Sequence, residues 1–230
     1  MFAWLPIPFL VVCVLLLLRA ETAQPRDVVR VRLWKPAATA MAIAASLLSL
    51  TQGRSPVYAM LVTIGLVFCL IGDVYLIDGE RPEMFMRGLF AFLLGHMVFI
   101  AAFTVVQQAT GAALDFEREL ASAAVLAVLV TLFFLYMRDG MGALRGPVLV
   151  YMAVIALMVH RAVGGAELGR SFPSQSALAV GGAMLFMISD VILALNRFVF
   201  PADPSDGGDR VWVLSTYYGA IALIALSCAY

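Results

Sequence analysis

Charge is scarce in this chain. Only 13% of its 230 residues are Asp, Glu, Lys or Arg, against about 25% in soluble domains, and lysine occurs once, at Lys35. Basic and acidic residues balance at 15 each, so no basic surface suggests nucleic acid as a partner. Cysteine is equally sparse. Cys13, Cys69 and Cys228 sit in separate apolar stretches without Cys-x-x-Cys or Cys/His spacing, so they offer no metal site and are expected to be small buried hydrophobes. No basic residue precedes the first apolar run, whose first positive charge, Arg19, comes after it. That order is the reverse of a cleaved signal, and a retained first helix is expected. Long polar linkers are missing too. Residues 1–230 are expected to form a single integral membrane domain.

Apolar residues, 63% of the chain, fall in runs of bilayer-spanning length of about 20 residues. An all-α, multi-pass integral membrane bundle of about eight helices follows. Broken at Gly, Pro and charge clusters, the spans run from Phe2 to Leu18, Trp34 to Leu50, Val57 to Ile77, Met86 to Val106, Leu120 to Tyr136, Pro147 to Val163, Ser176 to Leu195 and Val211 to Ala229. Turn chemistry marks the connections at Gln52-Gly53-Arg54-Ser55-Pro56, Asp78-Gly79-Glu80-Arg81-Pro82, Asp139-Gly140 and Asp203-Pro204-Ser205-Asp206-Gly207-Gly208.

Positive residues are lopsided. One side receives Arg19, Arg26, Arg30, Arg32, Lys35, Arg81, Arg87, Arg138, Arg145, Arg197 and Arg210, the other only Arg54, Arg118, Arg161 and Arg170. The richer side is expected in the cytoplasm, with both termini outside. A compact chain of this kind suits a bacterial cytoplasmic membrane.

Two carboxylates stand inside the apolar spans, Asp73 in Gly72-Asp73-Val74-Tyr75-Leu76 and Asp190 in Ser189-Asp190-Val191-Ile192-Leu193. A charge at membrane depth costs roughly 2.5–3.5 kcal/mol on insertion scales, and such residues usually serve function. Both are expected about one turn before the cytoplasmic end of an odd-numbered span, close enough to share a proton in acid/base catalysis. Pro36 and Pro147 are expected to open spans two and six, with a small residue and Asp-Val following in spans three and seven. Two readings fit: a parallel duplication of four-helix halves, or the chance recurrence of short apolar words.

Other polar residues are ambiguous from sequence. His96, mid-span, suits a proton relay or an interhelical hydrogen bond; His160, at the outer end of span six, reads as structural. Arg197 suits a phosphate or simply the positive-inside bias, and so does Lys35. Tyr217 suits a polar cavity or the aromatic belt.

The pieces Gly72-Asp73-Val74-Tyr75-Leu76, Gly88 through His96, Phe186 through Phe198 and Thr216-Tyr217-Tyr218, with Lys35-Pro36, resemble the signature of the YhhN family of lysoplasmalogenases over nearly the whole chain. Gly219-Ala220 departs from the family pattern, which has a polar residue soon after the tyrosines. The resemblance implies a membrane hydrolase that cleaves the vinyl ether of a lysophospholipid without cofactor or metal. It further implies Asp73 and Asp190 as catalytic residues, surrounded by the substrate-binding residues His96, Asn196, Arg197, Tyr217 and Lys35. Asp73 is expected as the acid and Asp190 as the ionised partner. The rival readings are a proton-coupled transporter, because intramembrane carboxylates also relay protons, and a structural protein or lipid sensor.

Overall fold

Prolines and short polar residues set where the helices begin. The Asp27 side chain accepts the Arg30 amide at 3.0 Å and Ser55 accepts the Tyr58 amide at 3.3 Å, each filling an orphan donor at a helix N-terminus. Prolines open α1, α3, α4 and α7, where a missing N–H costs nothing. The computed structural model describes residues 2–51, 55–109, 116–168, 173–200 and 208–230. Among them it has eight α-helices: α1 Pro6–Glu21, α2 Val28–Ser49, α3 Pro56–Tyr75, α4 Pro82–Ala109, α5 Phe116–Met137, α6 Arg145–Leu168, α7 Pro173–Phe198 and α8 Gly208–Ser227. The turns at Gln52-Gly53-Arg54 and residues 203–207, and Arg170, lie outside the described residues.

Seven of these helices are long and apolar enough to cross a bilayer, and α2 is the exception. Arg30, Arg32 and Lys35 occupy its first turns, leaving residues 36–49, about 21 Å of helix. That is short of a hydrocarbon core of about 30 Å. Pro36, expected to open the span, lies inside α2, because the Asp27 cap starts the helix earlier. The helix tolerates its polarity by packing between α1, α3 and α8, with Ala38, Thr39, Ala42 and Ala45 buried.

Glycine lines the contact between α3 and α4. Along the α3–α4 seam, Gly65 lies under the Phe99 ring and Gly72 under Phe92, where an added Cβ would sit 2.6 Å from the ring; a Cβ on Gly95 would meet the Gly65 carbonyl at 3.1 Å. Small residues allow this approach in a bilayer, where van der Waals packing drives association. Gly65→Val is therefore expected to lower the thermal midpoint in detergent, by overpacking worth about 1–3 kcal/mol. Gly181→Ala, whose added methyl meets only Leu223 at 3.5 Å, should leave the midpoint unchanged. Equal melting of the two variants would refute the packing account.

The packing repeats with an offset of four helices. α1 packs on α2 as α5 does on α6; α2 on α3 as α6 on α7; α3 on α4 as α7 on α8; and α2 on α8 as α6 on α4. This is the contact pattern a duplicated four-helix half produces. The halves differ in tightness. Leu10, Cys13 and Leu17 of α1 are buried, whereas only 6% of the α5 span is buried.

Candidate active site

Asp190 sits on α7, facing α6 and α4. The Tyr151 hydroxyl of α6 donates to its Oδ2 at 3.0 Å, and Nε2 of His96 on α4 lies 3.2 Å from the same oxygen. Tyr151 and His96 also touch each other, 3.3 Å apart. The other carboxyl oxygen, Oδ1, makes no hydrogen bond among the described residues. His96 is fully buried and its Nδ1 has no partner among the described residues.

Asp73 sits on α3 with a parallel set of partners. The Thr39 hydroxyl of α2 and the Tyr217 hydroxyl of α8, the latter at 2.8 Å, both donate to its Oδ2. Lys35 of α2 lies buried in its field; Asp73 and Glu21 attract that cation and Arg26 repels it. Tyr218 donates to the Lys35 carbonyl at 2.9 Å, tying α8 to α2 at this level. The two carboxyls thus follow one rule. Each is held by the preceding helix of its own half and by the fourth helix of the other half.

No hydrogen bond joins the two carboxyls. Aromatic rings stand between their partners: His96 packs edge-on against Phe186 at 4.5 Å, Phe186 against Tyr217 at 5.4 Å and Tyr217 against Phe92 at 5.7 Å. The directly shared proton expected from sequence is replaced by two separately held groups. The helix ends differ as well. α3 ends at Tyr75 just past Asp73, but α7 runs on from Asp190 to Phe198, because its last turn packs against Phe85 and the α5–α6 turn.

Solvent access separates them further. An apolar cavity of about 260 Å³ opens between α4, α5, α6 and α7, lined by Leu129, Phe133, Tyr151, Met187, Asp190 and Phe198 among others. The Asp190 side chain is 15% exposed, whereas Asp73 is 1% exposed and lines no part of this cavity. Only Asp190 can touch a molecule in it.

The remaining sequence candidates divide. His96 joins Asp190; Tyr217 and Lys35 join Asp73. Asn196 is half-buried near the end of α7, without a hydrogen bond to either carboxyl. Arg197 lies over the Phe85 ring, 4.8 Å from its centroid. His160 stands apart at the other end of the bundle, 2.9 Å from Glu119 and 3.0 Å from Ser122, and pins α5 to α6. Sequence reasoning passed over Tyr151 and Thr39. Each follows the proline of the second helix of its half, four residues after Pro147 and three after Pro36, so aligning the two halves would have drawn attention to both. Among the described residues, no three His, Cys, Asp or Glu side chains converge as metal ligands would.

Residues 31–228 match the YhhN family. The chain is 35% identical over 166 residues to the lysoplasmalogenase TMEM86A of Bos taurus and 36% identical over 166 residues to that of Homo sapiens, each match covering 71% of this chain and 63% of the relative. It is 30% identical over 164 residues to the lysoplasmalogenase TMEM86B of Mus musculus, covering 70% of this chain and 60% of that protein. The chain thus spans less than two thirds of the length of these relatives. No solved structure matches it.

Proposed function

The chain belongs to the YhhN family, and we propose that it is a lysoplasmalogenase, hydrolysing the vinyl ether of an alkenyl glycerophospholipid to a fatty aldehyde and the glycerophosphodiester. One observation carries the reading. Asp190 lies on the wall of an apolar cavity, one oxygen held by Tyr151 and His96 and the other without a hydrogen bond among the described residues. The relatives named above are lysoplasmalogenases, and this chain matches 60–63% of their length.

The chemistry follows from the substrate. A vinyl ether hydrolyses when an acid protonates the carbon distal to oxygen, leaving an oxocarbenium ion. Asp190 in its acid form, positioned by Tyr151 and His96, delivers that proton from Oδ1 into the cavity. Water adds to the cation and the resulting carboxylate takes the proton the water loses, which restores the acid. The hemiacetal then collapses to aldehyde and alcohol. One carboxyl acting first as acid and then as base has a counterpart in glycoside hydrolysis. Asp73 differs in having the Lys35 cation in its neighbourhood, which favours a carboxylate there, and that negative charge favours the oxocarbenium ion through the intervening rings. These roles reverse the division expected from sequence. The cavity's apolar lining takes the alkenyl chain. With α2, about 33 Å long over its 22 residues and shielded by α1, α3 and α8, taken as an eighth crossing, the arginine-rich ends of the helices face the cytoplasm and both termini lie outside, in a bacterial cytoplasmic membrane.

The test is aldehyde release by purified protein in detergent, from lysoplasmenylethanolamine, lysoplasmenylcholine and their saturated ether analogues. Aldehyde from the vinyl ethers alone is the expected result. No release from well-folded protein with either head group would return the protein to the transporter reading.

A further inference from the structure

We infer that the rim of the cavity at the C-terminal end of α7 is a phosphate site, built by Arg197 on α7 and by Arg138 and Arg145 on the turn between α5 and α6, and that it takes the phosphodiester of a lysophospholipid. The inference rests on reading the cavity as the lysophospholipid site.

The turn is docked onto the helix end by its backbone. A Cβ at Gly140 would collide with the Phe198 carbonyl oxygen, so only glycine permits this approach, and Gly142 adopts φ +52°, a conformation that favours glycine. Met137 and Met141 are buried against Leu195, Phe198 and Val199. The Arg145 Nε donates to the Arg138 carbonyl at 2.8 Å and closes the turn on itself. The turn that carries Arg138 and Arg145 is thereby seated at the C-terminal end of α7, where Arg197 lies over Phe85, and Phe85, Val148 and Phe198 line the cavity.

Charge at this rim is incompletely matched. Asp139, 87% exposed, lies 3.7 Å from Arg138 and 3.8 Å from Arg145. Arg197 forms neither an ion pair nor a hydrogen bond among the described residues and rests on Phe85 alone. Among the described residues, one carboxylate is paired with two of the three arginines and none with Arg197, an excess of positive charge that an anion would neutralise. A guanidinium with all five donors unused suits the paired oxygens of a phosphodiester.

Spacing supplies the last step. Arg197 follows Asp190 by seven residues, so the two share a face of α7 about 10.5 Å apart along its axis. In a glycerophospholipid, seven bonds separate phosphorus from the vinyl carbon that takes the proton, roughly 8–9 Å when extended. A head group held at Arg197 therefore sets the vinyl ether at Asp190 and sends the chain on into the cavity.

The test is calorimetric binding of two non-hydrolysable amphiphiles to the protein in detergent: 1-O-alkyl-glycerophosphoethanolamine and the phosphate-free 1-O-alkylglycerol. Arg197→Gln should weaken the first roughly ten- to a hundredfold and leave the second as in wild type. Arg145→Gln should act in the same direction by a smaller factor, which guards against a folding defect in one variant. Glycerophosphoethanolamine should compete with the first amphiphile, and inorganic phosphate at equal concentration should not. Equal loss for both amphiphiles, or loss for neither, would overturn the site, and phosphate competing as well as the diester would make it a general anion site. Arginine-dependent binding without any aldehyde release from wild type would instead remove the lysoplasmalogenase reading and leave the phosphate site standing.

Discussion

Asp190→Asn abolishes nearly all aldehyde release, lowering it about a hundred- to ten-thousandfold, the range contributed by a positioned general acid or base, while the protein stays folded. Asparagine keeps the shape of the side chain, and its carbonyl still accepts the Tyr151 hydroxyl that lies 3.0 Å from Oδ2. What it lacks is an acidic proton for carbon and a base for the attacking water. The swap is isosteric and the position only partly buried, so the melting temperature should change little. An aldehyde dehydrogenase-coupled assay measures the loss directly. Tyr151→Phe should fall between wild type and Asp190→Asn, since it removes one of two partners that hold Oδ2 and leaves the carboxyl in place. Activity of Asp190→Asn within tenfold of wild type would remove Asp190 from the chemistry.

Asp73→Asn acts on stability as much as on turnover. Lys35 is 6% exposed and Asp73 is 1% exposed, so the pair is a charge and its counter-charge taken out of water together. Glu21 also attracts Lys35, but it is already committed to Arg26 at 2.6 and 2.8 Å and to Arg210 at 3.5 Å. Asp73 is thus the main compensation for the lysine. Removing one member of a contacting buried pair typically costs about 3–5 kcal/mol, because the other is left uncompensated, whereas replacing both by apolar groups is often neutral. Lys35 and Asp73 make no ion pair within 4 Å among the described residues, so a smaller loss is expected here. Asp73→Asn should therefore melt below wild type in detergent, and adding Lys35→Met should restore most of the loss. A double variant no more stable than the single one would mean that the two groups are not coupled. Turnover separates the structural part from the electrostatic one. If the negative charge of Asp73 favours the cation formed in the cavity, the restabilised double variant remains slow.

Much of this was legible residue by residue. Asp73 and Asp190 were conspicuous because each is a carboxylate within an apolar run, and the hydrophobic effect alone makes such a residue anomalous. The number of helices followed from run length, but span two was counted with the rest, although the charges in its first turns leave it less apolar than the other seven. His96 and Tyr217 stood out as polar groups in apolar company, and each proved to be bonded to one of the two carboxyls. Tyr151 and Thr39 did not stand out, since a tyrosine or threonine in a membrane helix is unremarkable until its partner is known. Lys35 was read as a phosphate ligand or an orientation signal, and its burial near Asp73 depends on how α1 and α8 close around α2.

The sequence by itself determined that the chain is a bundle of apolar helices carrying two intramembrane carboxylates, because composition and run length leave no other way to satisfy backbone and side chains in a bilayer. Only the tertiary structure decided which carboxylate can work on a substrate. Tight packing of α1 against α2 and α8 closes the first half over Asp73, while the loosely covered α5 leaves a cavity beside Asp190. Covalent spacing is nearly the same in both halves. The difference lies in how completely a neighbouring helix fills the space, which depends on side-chain shapes meeting across the bundle and cannot be read along any one segment.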